Sequence, residues 1–398
     1  MSYSPRIIRV TTVPISLHLL LRGQMKFMKE HGYDVIMISS PGPEAEAVER
    51  EESCEMITLP MKRTVSIGAD LVSLYRLYKI FRVLKPDIVH SHTPKAGLLS
   101  MVAAKFASVP IRLHTIAGIP WIESGFLMRI IYKNVEKITA WASHRLYANS
   151  AGMLSFLKFE GITSDPLKLK LLGNGSSNGI DCNYFNKDQV DPTFVSSLKL
   201  KSNLKSGGKI WIFIGRLVKD KGITELVNAF IEFQQFYPND QLWLVGDEER
   251  MRDPLPKDTI SKIEINDSIV HWGHQDDIRP YLVASYALVF PSYREGFPNV
   301  PMQAAAMGCP LILSDIDGCN EIVEHGVNGL LIKTKEIQSV VSAMTYLSEN
   351  ANICEKFASL SLKKISENYK QDVIWELLLK EYNDFLALDT ILLHKQIV

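Results

Sequence analysis

The sequence predicts an α/β protein in which two parallel sheets are each wound with helices. Three observations lead there. The chain has 398 residues, 46% of them hydrophobic, too many for one ordinary core, so two domains are the natural division. Short apolar runs alternate with segments of helical period along nearly its whole length, the pattern of repeated βαβ units. Two of those runs, at 210–214 and 287–290, pass through a glycine-containing polar turn straight into a helix, as strands do beside a ligand crevice.

Each element has a local reason. Residues 6–12 read as a first strand, followed by a helix over 15–30 that His31-Gly32-Tyr33 ends. Residues 34–39 form a second strand, closed by Pro41-Gly42-Pro43. Residues 66–84 are helical, with Leu71, Leu74, Leu77, Tyr78 and Phe81 on one side. Arg76, Lys79, Arg82 and Lys85 ride elsewhere on it, so this helix either covers a core or lies on anionic lipid. Residues 87–91 are a buried strand, with a helix over 98–107 after it. His90 reads as a partner-satisfied residue at the strand end, while His92 and Lys95 lie past that end. Residues 111–115 are another strand. A short strand ends at Tyr147-Ala148-Asn149-Ser150, and Ser150 caps the helix over 151–159. Residues 171–181 hold a Gly/Asn cluster suited to φ > 0. Residues 187–208 read as linker plus one helix. Beyond Lys209, strands fall at 210–214, 241–245, 269–272, 287–290 and 310–313, with helices between. A short helix opens over 321–324, and 326–329 turns into the last strand. Helices cover 337–348, 352–367 and finally 369–386.

Composition narrows the function classes. Net charge is zero but uneven: residues 1–185 carry 22 Lys and Arg against 15 Asp and Glu, and the remainder 22 against 29. A positive first half fits an anionic membrane or a phosphorylated acceptor. Nucleic acid is not expected as a partner. Cys54, Cys182, Cys309, Cys319 and Cys354 are scattered without Cys-x-x-Cys spacing, which fits a reduced cytosolic chain. No apolar run is long enough to predict a membrane span, and the N-terminus lacks a signal peptide's order of features.

The chemistry concentrates in the two strand-turn-helix stretches. Pro291-Ser-Tyr-Arg-Glu-Gly-Phe-Pro-Asn299 carries a carboxylate, Glu295, beside Gly296 and ahead of a helix that begins near Asn299 or Val300 and stops at Gly308-Cys309-Pro310. A helix start favours an anion. A carboxylate beside it does not bind phosphate, so Glu295 should meet something uncharged, such as sugar hydroxyls. Gly215-Arg216-Leu217-Val218-Lys219-Asp220-Lys221-Gly222 offers two cations, Arg216 and Lys221, at another strand end. One crevice with two cations, a helix N-terminus and a hydroxyl-seeking carboxylate suits a nucleoside diphosphate sugar.

The pair Gly-Arg-Leu…Lys-Gly and Pro-Ser-x-x-Glu-Gly-Phe resembles the donor site of retaining GT-B glycosyltransferases of family 4. The resemblance covers almost the whole chain. It implies a GT-B fold: two Rossmann-like domains facing across a cleft, residues 1–185 on the acceptor side and 186–370 on the nucleotide-sugar side, with 371–398 returning to the first domain. It implies catalytic roles for Glu295, Arg216 and Lys221, and donor contacts at Gly215, Gln275, Gly296, Phe297, Asn299 and Gln303. His92, Lys95 and Trp121 become candidate acceptor-side groups; Trp121 can platform a sugar ring or fill a core. No metal and no cofactor is expected, since such enzymes neutralise the leaving diphosphate with cations and helix dipoles, and Asp315-Ile316-Asp317 is read as a turn. The implied partners are a nucleotide sugar, with UDP favoured over GDP, and a lipid-linked saccharide acceptor for a surface polysaccharide, lipopolysaccharide or capsule. The implied place is the cytoplasm, at the inner membrane face. Three departures stand out. The family's second glutamate is Gln303, the first loop, 12–16, has no glycine, and the Thr-x-His-Gly pattern reads Thr115-Ile116-Ala117-Gly118. A subgroup with His-Thr-x-x-Gly-x-x-Trp is closer. The competing readings are a sugar-nucleotide-binding protein without catalysis and a GT-B epimerase or phosphorylase.

Overall fold

The alternating strands and helices form two sheets in which every ladder is parallel. This computed structural model describes residues 3–62, 64, 66–118, 125–251 and 253–397, the side chains of 389–397 excepted. The chain divides into two units: Met1–Gly179 with Asp372–Val398, and Ile180–Gln371.

The first unit holds seven strands: β1 (Arg6–Val10), β2 (Asp34–Ser39), β3 (Glu55–Thr58), β4 (Ile88–His92), β5 (Ile111–Ile116), β6 (Arg145–Ala148) and β7 (Leu169–Leu171), in the order β3-β2-β1-β4-β5-β6-β7. Its helices are α1 (Pro14–Leu20), α2 (Gln24–Glu30), α3 (Ala45–Glu52), α4 (Ile67–Leu84), α5 (Pro94–Phe106), α6 (Phe126–Ala142) and α7 (Ala151–Phe159). Successive strand residues face opposite sides. Ile7, Leu113 and Tyr147 therefore join one apolar cluster, while Ile8, Val10 and Val89 join another beneath α4 and α5.

The second unit holds β8 (Ile210–Ile214), β9 (Gln241–Val245), β10 (Ile269–Gly273), β11 (Ala287–Phe290), β12 (Leu311–Ser314) and β13 (Leu330–Ile332), ordered β10-β9-β8-β11-β12-β13. Around them lie α8 (Pro192–Lys201), α9 (Ile223–Gln234), α10 (Lys257–Ile265), α11 (Arg279–Ala284), α12 (Asn299–Ala306), α13 (Cys319–Ile322), α14 (Ile337–Glu349) and α15 (Ala351–Asn368). Trp211, Phe213, Phe230, Phe233 and Trp243 fill its centre.

The last helix, α16 (Gln371–Ile397), belongs to the first unit from Asp372 onward. Its Ile374, Leu378 and Tyr382 are buried in the cluster that holds Ile7. Tyr382 also meets a cation in the middle of the sheet. The Arg9 guanidinium is fully buried and donates to the Tyr382 hydroxyl and to Gln24 Oε1, and lies 3.1 Å from His90 Nδ1. His90 completes its bonding to Tyr382 at 2.7 Å and to Thr115 Oγ1 at 2.8 Å, so it is satisfied inside the fold. Burial, and then the Arg9 charge, push the His90 and His92 rings well below the usual imidazole range, so both are neutral. His114 faces the other side, with Nδ1 on the Ser91 hydroxyl at 2.8 Å. Gly97 leaves room for its ring.

Several expected elements are redrawn. The single helix over 15–30 is two, because Gly23 adopts φ 83° under the Trp375 indole, which stands 2.7 Å from where a Cβ would be. Strand β4 runs on to His92, which pairs with Thr115, so His92 lies inside the strand and not past its end. Helix α5 starts at Pro94, four residues early, since proline suits a first helical position. Helix α13 starts at Cys319 and not Glu321, after Gly318. The final helix starts at Gln371, because Tyr369 O and Gln371 N bond Ile180. Elements α3, β3, α6 and β7 were not anticipated.

Helix α6 buries a carboxyl. Glu136 is 2% exposed, its Oε2 has no partner, and burial pushes its pKa up to about 8. A raised carboxyl pKa favours the native state at low pH, and that advantage is lost as pH rises from the unfolded value through 8. Stability of the parent relative to Glu136→Gln should therefore fall by about 1.4 kcal/mol for each pH unit across that window. Urea unfolding of both proteins at pH 5 and pH 8 reads the difference; parallel pH profiles would contradict it.

Candidate functional site

In the second unit the strands of the sheet all end at one edge, and the loops leaving them stack backbone on backbone. The loop after β8 runs from Gly215 to Gly222. Gly222, at φ 70°, packs so close to Pro291 that a Cβ there would stand 2.2 Å from the Pro291 carbonyl oxygen. Gly318, at φ 82°, packs in the same way against Gly296, with 2.5 Å to its carbonyl oxygen. Three strand-end loops are thus drawn to one place: those after β8, β11 and β12. Only glycine combines the positive φ with the missing side chain.

Two charged contacts fix the loops in register. Asp220 accepts from Arg294 at 3.0 Å, and its carbonyl takes the Tyr293 N–H at 2.8 Å. One residue further along each loop, the Lys221 ammonium meets Glu295 Oε1 at 2.5 Å. Both side chains of this second pair are mostly buried, 18% and 13% exposed, so water screens it weakly. The Lys221 ammonium also stands 5.6 Å from the centre of the Phe290 ring.

Cys319 lies fully buried beside the pair. Burial, and then the Glu295 charge, raise its thiol well above the usual range, so it stays protonated and is no nucleophile. Asp315 accepts from Asn320 at 3.1 Å, and burial together with Glu321 raises Asp317. Among the described residues no three His, Cys, Asp or Glu side chains are grouped to hold a metal ion.

The other expected donor residues divide. Arg216 leaves the same loop as Lys221 but does not join the ion pair. It is 59% exposed in its side chain, and its guanidinium stands 3.8 Å from Glu249. Gly215 lies where the β8 loop begins; its N–H bonds Val245 O, and its carbonyl is covered by Gly246. Gly296 is the partner of Gly318. The Phe297 side chain is core, packed 5.1 Å from the Tyr369 ring, so only its backbone can face a ligand. Asn299 is the first residue of α12, after Pro298 at the N-cap, and Gln303 lies one turn further on, half-buried. The Gln275 side chain is spent inside the protein: its amide donates to Trp272 O at 2.8 Å and accepts from Tyr281 at 2.7 Å. Gln275 is left with its backbone groups alone to offer.

In the first unit, His92 is buried, stacked at 4.5 Å on His90, with Nε2 unpartnered and lining a small cavity shared with Gln24, Thr115 and Leu378. Lys95 is held by Asp70 at 2.8 Å, which neutralises it where it stands. His92 and Lys95 do not meet. Trp121 lies outside the described residues. Sequence reasoning missed the Asp220–Arg294 clasp, although Arg294 sits inside the Pro-Ser-x-x-Glu-Gly stretch. Its 74-residue separation from Asp220 left no local signal.

Gly222→Ala should lower the stability of this unit by about 2–4 kcal/mol through strain and overlap. Chemical unfolding of the purified variant measures it, and an unchanged midpoint would show that the loops do not depend on this approach.

Comparison with known proteins follows the same division. Residues 208–350 match the family model described as glycosyl transferases group 1, and residues 12–150 that of glycosyl transferase 4-like. The capsular polysaccharide biosynthesis glycosyltransferase CapM of Staphylococcus aureus is 31% identical over 386 residues, 96% of this chain and 97% of that protein. The UDP-Gal:alpha-D-GlcNAc-diphosphoundecaprenol alpha-1,3-galactosyltransferase of Escherichia coli is 28% identical over 295 residues, 72% of this chain and 73% of its own. Among solved structures, HepE of Anabaena in complex with UDP-glucose superposes with a TM-score of 0.80 at 17% identity, covering 95% of this chain and 99% of that one. That likeness is one of fold, and the fold class is GT-B.

Proposed function

Because the chain belongs to the glycosyl transferases of group 1, we propose that it moves a hexose or N-acetylhexosamine from a nucleotide sugar to a lipid-linked saccharide, with retention and without a metal. The observation that carries the site assignment is the Lys221–Glu295 pair at the convergence of two strand-end loops. The relatives from Staphylococcus and Escherichia, one named for capsule synthesis and one for a diphosphoundecaprenol acceptor, support the substrate class. A UDP-linked donor is favoured by the same Escherichia relative and by the UDP-glucose complex of the Anabaena protein.

In this reading each group has one task. Lys221 and Arg216 stabilise the charge that develops on the leaving diphosphate, assisted by backbone N–H groups near Phe297 and Asn299 at the start of α12. Pro298 has no N–H to add. Glu295, held by Lys221, accepts hydrogen bonds from the sugar hydroxyls and fixes the ring. Gln303 takes the place of the family's second glutamate and holds ribose hydroxyls through a neutral amide. Gly215, Gly296 and the backbone at Gln275 leave space for the nucleotide. His92, Lys95 and Trp121 are the candidate acceptor contacts. No enzyme nucleophile is placed at the pair, so the acceptor hydroxyl attacks on the face the diphosphate leaves, and the leaving phosphate takes its proton. The enzyme works in the cytoplasm at the inner membrane face.

Lys221→Ala and Glu295→Ala should each lower turnover by about a hundredfold or more while thermal unfolding stays cooperative. Arg216→Ala, at an exposed position, should cost less. The test is a donor screen of UDP- and GDP-sugars with a diphosphate-linked lipid saccharide, read by mass spectrometry and scored for anomeric configuration. Near-normal transfer by either variant removes that residue from the mechanism. Binding of UDP-sugars without transfer to any acceptor would replace the enzyme with a binding protein.

A further inference from the structure

The Lys221–Glu295 pair sets two tasks against each other. The ammonium lies 2.5 Å from Glu295 Oε1, and the two side chains are 18% and 13% exposed. Among the described residues Lys221 is the one hydrogen-bond donor to the Glu295 carboxylate. A lysine neutralised in this way attracts a diphosphate weakly. A lysine that turns to a diphosphate leaves a carboxylate behind it, and a mostly buried charge that loses its partner is costly.

The frame around the pair decides what can move. Gly222 lies against Pro291 and Gly318 against Gly296, backbone on backbone. The Asp220–Arg294 clasp and the Tyr293 N–H on the Asp220 carbonyl tie the same loops one residue upstream. Glu295 therefore cannot follow Lys221 by a shift of its loop, whereas Lys221 can swing on its four-carbon stem. Cys319, fully buried beside the pair, is a poor substitute donor, because an S–H hydrogen-bonds weakly.

A nucleotide sugar resolves this conflict and a nucleoside diphosphate does not. The diphosphate of the intact donor takes the ammonium while its sugar hydroxyls donate to Glu295, so both charges keep partners. Once the sugar has been transferred, the diphosphate holds Lys221 beside a carboxylate that has no donor. Re-forming the ion pair then favours departure of the product.

We infer that the Lys221–Glu295 pair is a latch that discriminates the intact nucleotide sugar from its nucleoside diphosphate product and promotes release of that product. This latch rests on the donor-site reading above and adds to it a second task for Glu295, opposing the bound product.

The test is calorimetric titration of the full chain with UDP and with GDP, carrying forward whichever binds. Glu295→Gln removes the charge that holds Lys221 and should bind the nucleoside diphosphate about tenfold more tightly than the parent. A residue that only holds hydroxyls of the transferred sugar would leave this affinity unchanged, since neither ligand carries that sugar. Lys221→Ala should bind about tenfold more weakly than the parent. In the Lys221→Ala background Glu295→Gln should add little, because the latch is already gone. Glu295→Ala repeats the first arm without an amide oxygen to hold the lysine, and circular dichroism melting shows that each variant is folded. Weaker binding by Lys221→Ala, with binding unchanged in both folded Glu295 variants, overturns the latch and leaves the donor-site reading standing. A gain that persists undiminished in the Lys221→Ala background also overturns it, making Glu295 a plain repeller of anions. Binding indifferent to Lys221, or no binding of either nucleotide by the parent and Glu295→Gln, overturns both.

Discussion

Backbone lying directly on backbone is the constraint from which the candidate site follows. At the strand ends of the second sheet, Gly222 touches Pro291 and Gly318 touches Gly296 with no side chain between them. Only that closeness lets a lysine leaving one loop reach a carboxylate leaving another. The Asp220–Arg294 clasp, one residue upstream on each loop, sets the register. Lys221 and Glu295 are therefore presented by a fixed frame rather than by mobile loop tips.

The two units solve the burial of polarity differently. The second has an aromatic centre, with Trp211 and Trp243 donating their indole N–H groups to Asp240 and Gln241. The first runs a polar chain through its middle: Arg9, Tyr382, His90, Thr115 and Gln24. A buried guanidinium is tolerable there because neutral acceptors meet both of its terminal nitrogens, though not Nε, and burial keeps the imidazoles uncharged. The same logic fails at Glu136, where the carboxyl has no donor and resists ionising instead.

Much of this was legible in the sequence. Apolar runs such as 210–214 and 287–290 marked buried parallel strands, and Ser150 marked a helix start that the structure keeps, with its hydroxyl accepting from Met153 at 3.0 Å. The strand-turn-helix stretches located Lys221 and Glu295. What stayed hidden depends on distance along the chain. Nothing local says that Trp375 will sit on Gly23 and divide a helix, or that Asp70 will hold Lys95. Nor does local sequence show that the Gln275 amide is consumed by Trp272 and Tyr281. Helix α6 escaped because its large apolar residues, Phe126, Leu127, Ile130, Ile131, Ile138 and Trp141, lie on the exposed side, so hydrophobicity alone gives no inward side.

The place of Tyr382 has a consequence for biosynthesis. Arg9 enters the growing chain 373 residues before the phenol that accepts its N–H hydrogen bond. Until α16 leaves the ribosome, the N-terminal sheet lacks both a lid over Ile7 and an acceptor for its central cation. The middle of the chain, from Ile180 to Gln371, has all its own parts by then. The first unit therefore completes its packing only after the whole of the second has been made.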